Sequence, residues 1–266
     1  MINLGFKSWV VLIQLSFFVG FVSCSSNQDA DNNTVSTIDS ANWVIDQSVA
    51  AHGVLPKKYS LSFDFRDKLY KGVINEGNYA LTREFSTGDS TIRDLLTNDS
   101  FMRSINGDSV LVSEERIQAY SNSINSVFYF TLLPWKLKDP AVNAEFLGIN
   151  KNKSGNHYTI KVSFNQEGGG DDFEDQFMYW FNTETHLLDF FAYSYNTNGG
   201  GVRFRSVEYR HNTSAGHILQ DYVNYKHEDL AVDLTTLLDL FNNQALTELS
   251  KIRLRNVALI SGKEKD

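Results

Sequence analysis

The chain is poor in the residues that usually announce covalent or metal chemistry. It has one cysteine, Cys24, so no disulfide can close within it. No G-x-S-x-G elbow and no H-E-x-x-H pair occurs, which removes the common signatures of α/β-hydrolases and zincins. The six histidines are scattered beside turns and strand ends, a spacing that builds no zinc site. Three prolines and 17 glycines in 266 residues exclude a collagen-like or proline-rich fibre. Positive charge is also scarce: 24 Lys and Arg face 32 Asp and Glu, a net charge of −8. Nucleic acid is therefore not an expected partner. What the chain has in quantity is aromatic rings, 19 Phe, 12 Tyr and 4 Trp, which suit pleated sheets and lined cavities.

The longest apolar run, Trp9–Val22, holds only 14 residues and is broken by Gln14, Ser16 and Gly20. That is short for a membrane span and right for the apolar region of a signal peptide. It ends in Phe21-Val22-Ser23-Cys24. A lone Cys after such a run, with a small residue before it, resembles a bacterial lipobox, although Phe21 stands where Leu is usual. The resemblance implies cleavage before Cys24 and acylation of Cys24 by chains such as palmitate, hence a membrane partner through the N-terminal anchor. Residues 1–23 then read as a lipoprotein signal peptide and residues 24–37, polar and acidic, as a tether.

Residues 38–262 show no linker or repeat and read as one domain. A short helix is expected over Ser40–His52, stopped by Gly53 and Pro56. Alternation then takes over in Ser60–Asp67, Lys68–Ile74, Asn78–Phe85, Thr91–Arg103 and Ser109–Val112, a meander of hairpins. From Ser113 to Leu133 the period changes: Ile117, Tyr120, Ile124, Val127, Phe128 and Leu132 recur at steps of three and four, an amphipathic helix that Pro134 ends. Pro140–Leu147 is expected to form a second short helix closed by Gly148. Strands resume at Tyr158–Phe164, Gln176–Asn182, Leu187–Tyr195, Val202–Arg210 and Ile218–Tyr225. A helix is expected at Leu234–Asn242, a turn at Ala245–Leu249 and a last strand at Ile252–Ile260. The pattern is mainly β (α+β): a curved antiparallel sheet, an incomplete barrel, with helices packed on its concave face.

The segments SLSFDFRDKLY, NSINSVFYFTLLPWKLKDPAV, VSFNQEGGGDDFEDQFMYWFN, AYSYNTNGGGVRFRSVEYR and DYVNY resemble a family of Bacteroidota lipoproteins, from about Ile38 to Ile260. That family supplies no catalytic residues. Its architecture is similar to the half-barrel of the LolA and LolB lipoprotein carriers, which hold acyl chains between sheet and helices. The resemblance implies an outer-membrane lipid-anchored protein, on the periplasmic side or the cell surface.

Three groups of residues could carry function. The acidic loop Glu167–Asp175 offers Asp171, Asp172, Glu174 and Asp175 among glycines, oxygen ligands of the kind Ca²⁺ takes, but without EF-hand spacing; a solvated hairpin loop is the alternative. Asn198-Gly-Gly-Gly-Val-Arg203-Phe-Arg205 puts two arginines on one strand face beside glycines, a pattern that cradles anions, and Arg66 sits similarly after Phe65. The alternative is cross-strand pairing of these arginines with Asp171, Asp172, Glu174 or Asp175. Third, Phe128, Trp135 and Trp180 head a dense aromatic set. Phe177–Phe181 and Phe190–Tyr195 are apolar on both faces, so each face must be covered. The expected function is non-catalytic: a binder or carrier of a lipid or other apolar ligand. The ligand would lie between the helix Ser113–Leu133 and the sheet, its polar head on Arg203, Arg205 or Arg66, with no cofactor. The alternatives are an interaction protein of the envelope whose concavity is filled by its own side chains, and an enzyme on the Gly-rich loops. Ligand identity and oligomeric state are not legible in the sequence.

Overall fold

A computed structural model describes residues 28–167, 174–196 and 199–262, with side chains from Ser40 onward. Cys24 and the preceding apolar run lie outside the described residues. Helix α1 spans Gln28–His52. It begins within the stretch expected to be a tether. Residues 28–39 contain neither Pro nor Gly, so the backbone hydrogen-bond ladder has no breaker before Gln28.

Among the described residues fourteen strands follow, all in antiparallel pairs. Strands β1 (Lys58–Phe65), β2 (Lys68–Asn75), β3 (Asn78–Thr87), β4 (Ser90–Thr97), β5 (Phe101–Ile105) and β6 (Asp108–Val110) pair in sequence order. The alternation dictates their faces: Leu61 and Phe63 of β1, Tyr70 of β2 and Leu81 of β3 point inward and are buried. The single strand expected at Thr91–Arg103 is two strands. A turn closes at Thr97–Ser100, where the Thr97 N–H donates to the Ser100 carbonyl and Asn98 Oδ1 accepts the Tyr79 N–H.

Helix α2 (Glu114–Thr131) crosses from β6 to the second sheet, with Glu114 and Glu115 in its first turn, where the helix dipole favours negative charge. A 3-10 turn, Trp135–Lys138, follows Pro134. The helix expected at Pro140–Leu147 is instead strand β7 (Val142–Asn152). Val142, Ala144 and Phe146 alternate with exposed Asn143, Glu145 and Leu147, and this period of two prevails. Gly148, at φ 105°, serves a register shift opposite β8 rather than a helix end.

The second sheet runs β7, β8 (Gly155–Phe164), β9 (Gln176–Asn182), β10 (Leu188–Tyr195), β11 (Gly201–Asn212), β12 (Ile218–Lys226) and β13 (Thr247–Ile252). Strand β13 replaces the turn expected at Ala245–Leu249. Its residues Thr247–Ile252 pair with β12, and backbone pairing overrides the polar local sequence. Between β12 and β13 a 3-10 turn, Leu234–Thr236, runs into α3 (Leu237–Asn242). Strand β14 (Leu254–Ser261) returns to pair with β1.

The two sheets thus meet at one residue, Arg253, between β13 and β14. Two acids staple this corner. Glu208, at a register shift in β11, accepts from Lys251 at 2.9 Å and Arg253 at 2.8 Å, and these cations hold its carboxyl down to about 2. Asp221 accepts the Leu254 N–H at 2.8 Å and the His211 ring N–H at 2.7 Å. At the other end β6 and β7 do not pair, so the curved sheets stay unclosed and α2 spans the gap.

Among the described residues the buried apolar side chains form three clusters. On the first sheet, Ile124 and Phe128 of α2 and Leu132, which caps it, pack on Leu61, Phe63, Tyr70 and Leu81. On the inner face of the second, Ala41, Val44 and Ile45 of α1 pack on Ile160, Tyr179, Phe181, Leu188 and Phe191. On its outer face, Leu234, Leu237 and Leu238 cover Met178, Trp180, Phe190 and Phe204. Both faces of β9 and β10 are therefore covered by the chain itself.

Candidate functional site

The aromatic candidates separate into two of these clusters. Phe128 is buried against Phe63, with ring centroids 5.6 Å apart, and against Tyr70 at 6.1 Å. A Cβ at Gly72 would lie 2.9 Å from Phe128 Cε1, so the glycine makes room for this ring. The gap between α2 and the first sheet, the expected ligand space, is packed with these side chains. These described side chains fill that part of the gap. Trp135 donates its indole N–H to the Gly53 carbonyl at 2.7 Å and fixes the end of α1. Trp180 is wholly buried beneath α3, on the outer face.

The arginines separate as well. Arg66 is exposed at the tip of the β1–β2 hairpin, at φ 54°, with its guanidinium 5.2 Å from the Phe65 ring. Arg203 is half-buried over the Tyr195 ring at 4.9 Å and donates to its neighbour's carbonyl, Val202 O, at 2.8 Å. Arg205 is buried on the inner face, 4.1 Å from the Phe130 ring centroid. Arg203 and Arg205 thus share a face, as expected, and Arg66 belongs to the other sheet. In the acidic loop, Asp171 and Asp172 lie outside the described residues, Glu174 is exposed and Asp175 is buried. Among the described residues no three His, Cys, Asp or Glu side chains are placed to hold a metal ion.

Two polar constellations were not singled out from the sequence. In the first sheet Arg83, Asp94 and Arg103 form one row across β3, β4 and β5. Asp94 has no exposure; it accepts from Arg83 Nη2 at 2.6 Å and Arg103 Nε at 2.6 Å. Arg83 also donates to Ser123 of α2 at 3.0 Å, and Arg103 lies 3.7 Å from the Tyr120 ring. The row pins α2 to its sheet. Its signal was present: Arg83 and Asp94 stand two residues from Leu81 and Leu96, on the buried side of their strands.

The second constellation surrounds the end of α1. His52 is fully buried, and its Nδ1–H donates to the Ser48 carbonyl at 2.8 Å. Burial pushes its pKa down from 6.5 to about 4, opposed by that hydrogen bond and helped by the Arg210 charge. His217 bonds the Val54 carbonyl at 2.9 Å, and the Trp135 ring lies 6.2 Å from both imidazoles.

An open apolar groove of about 400 Å³ lies between α1 and the edge of the second sheet. Ser40, Trp43, Val44, Phe146 and Tyr158 line it. Trp43 stays 48% exposed, although its ring meets Tyr158 edge-on at 5.7 Å and His186 at 5.8 Å. The bulge at Leu147 matters here. It brings Ile149 opposite Tyr158 and onto the face of Phe146, and leaves Ile149 half exposed beside the groove. The volume falls within the range of small-ligand sites, and its walls carry no formal charge.

Residues 23–253 match DUF6503, a family of unknown function, and the chain belongs to that family. No curated protein matches the sequence. Similar solved structures include a DUF1329 family protein from Desulfovibrio piger, 8% identical, with 82% of this chain and 92% of that one covered and a TM-score of 0.39. A putative outer membrane lipoprotein-sorting protein domain from Vibrio parahaemolyticus is 5% identical, over 78% and 98% of the two chains, with a TM-score of 0.36. The Mycobacterium tuberculosis lipoprotein LppX is 11% identical, over 61% and 90%, with a TM-score of 0.27. No site residue is carried over from any of them.

Proposed function

We propose that this member of the DUF6503 family is an envelope lipoprotein, anchored to the outer membrane through Cys24, that binds an acyl chain without catalysis. The observation that carries this reading is the open apolar groove with Trp43 half exposed at its mouth. Burying the exposed half of the Trp43 ring would recover roughly half of the 1.5–3 kcal/mol that full burial of a large apolar side chain is worth, about 1 kcal/mol. An uncharged apolar lining suits a hydrocarbon chain better than a sugar or a nucleotide. The anchor fits this placement. Helix α1 rises 1.5 Å per residue, so Trp43 lies roughly 22 Å along it from Gln28, four residues beyond Cys24. The helix would hold the groove at a fixed height above the bilayer rather than on a loose tether.

The test is native mass spectrometry with lipid extraction on the chain from residue 24, bearing Cys24→Ser, purified from its own envelope. A stoichiometric acyl-containing ligand, lost in Trp43→Ala, is the expected result. A clean apo mass unchanged by added lipids would overturn the reading. It would favour an interaction protein instead, consistent with the packed gap beneath α2.

A further inference from the structure

Arg205 carries a buried positive charge that makes no ion pair among the described residues. Arg205 on β11 lies directly between Phe191 of β10 and Asn224 of β12. It is 8% exposed, and its guanidinium sits among the rings of Phe130, Phe191 and Tyr193, at 4.1, 5.3 and 5.3 Å from their centroids. Such faces attract a cation, but they do not replace the hydrogen bonds it had in water. Its hydrogen bond is from Nη2 to Tyr193 Oη at 3.0 Å. Nε is buried and has no partner among the described residues, and no described carboxylate lies within ion-pair distance.

The polar row continues across the inner face. Asn224, also buried, donates through Nδ2 to Ser250 Oγ at 3.3 Å. Its Oδ1 has no partner among the described residues, so the amide is held by one end alone. Arg203 adds a second positive charge two residues from Arg205, on the same face. An unmatched buried guanidinium is expensive, and the usual remedy is an oxygen anion in its fork.

We propose that Arg205, with Tyr193 and Asn224, forms a binding site for an oxyanion, a carboxylate or phosphate, on the inner face of the second sheet. Arg205 Nε supplies the free donor, and the Tyr193 hydroxyl and the second Nδ2 hydrogen of Asn224 complete the donor wall. The site is separate from the acyl groove. Strands β11 and β7 are four strands apart, about 19 Å at the usual spacing, so either site stands if the other fails. The anion arrives either as a free ion or as the head of an amphiphile, and the same donors serve both.

The test observes the Arg205 Nε–H resonance in ¹⁵N-labelled protein, the chain from residue 24 with Cys24→Ser. Inorganic phosphate and dodecyl phosphate are titrated separately. A saturable shift with both probes assigns a site for a free oxyanion. A shift with dodecyl phosphate alone assigns a headgroup subsite. Asn224→Asp sets a carboxylate opposite Arg205 as an internal competitor and should weaken binding at least tenfold without unfolding the chain. Two results would overturn the proposal. One is an unmoved resonance with both probes. The other is a resonance already displaced without added anion and released by Asp171→Asn or Asp172→Asn, which would assign the charge to an internal ion pair.

Discussion

Acidification should weaken this fold at a pH where its carboxylates are still ionised, and His52 is the reason. The imidazole is fully buried at the end of α1, and its pKa falls from 6.5 in the free side chain to about 4 in the fold. Above pH 6.5 neither the folded nor the unfolded chain protonates His52, and pH has no effect through it. Below 6.5 the unfolded chain binds a proton that the folded chain refuses until about pH 4. Stability therefore falls as pH falls through this window. Each unit of difference is worth 1.36 kcal/mol, so the gap amounts to roughly 3 kcal/mol in full and about 2 kcal/mol by pH 5. Domains of this kind have about 5–15 kcal/mol in all, so the loss is readily measured.

The assay is urea unfolding of the wild-type and His52→Asn chains at steps from pH 7 to 4.5. Asparagine keeps an N–H donor near the position of Nδ1 but cannot titrate. The substitution lowers stability at every pH, because it leaves a smaller side chain in a packed site. What distinguishes it is slope: the wild type should lose about 2 kcal/mol more than the variant between pH 7 and pH 5. Parallel curves for the two chains would refute the reasoning. So would an imidazole resonance of His52 that titrates near pH 6.5 in the folded protein.

Four further outcomes are expected. Trp43→Ala should abolish co-purification of an acyl ligand while changing unfolding midpoints little, because the ring is already 48% exposed. Asp94→Asn should cost about 3 kcal/mol or more in urea unfolding, because it leaves Arg83 and Arg103 without their carboxylate. Gly72→Ala should cost about 1–3 kcal/mol by forcing the buried Phe128 ring, 2.9 Å from the new methyl, out of place; a neutral result would show the ring free to move. Cys24→Ser should release the protein from the membrane fraction and abolish incorporation of labelled palmitate; unchanged fractionation would remove the anchor.

The strands were legible wherever one face was buried and the other wet. Leu61 and Phe63 against Ser62 and Asp64 allow only one register, because a slip by one residue would turn both apolar side chains to solvent. Strand β7 was not legible. Val142, Ala144, Phe146 and Leu147 fit both a helical stripe and an alternating strand with a bulge, and only pairing with Ile160 and Val162 decides between them. Trp180 and Phe190 showed that a second face had to be covered. They could not show that α3, some 50 residues further on, covers it. The groove was hidden for the same reason. Trp43 reads as one more apolar position on a helix, and its exposure exists only because α1 meets the edge of a sheet 100 residues away.

The two sheets build the same element and finish it differently. Each sets an arginine on its inner face beneath α2, with aromatic rings around it. In the first sheet Asp94 lies directly across from Arg83 and Arg103, and the row closes on Ser123 as a structural clamp. In the second, the residue across from Arg205 is Asn224, an amide of nearly the same shape with no charge to give. Had the second row only a structural task, aspartate at 224 would serve it better, because it would cancel the buried charge and occupy the idle Nε. The neutral amide leaves Arg205 Nε without a partner among the described residues. The contrast between two rows in one protein, rather than the presence of arginine in either, is what marks the second as a place for something from outside the chain.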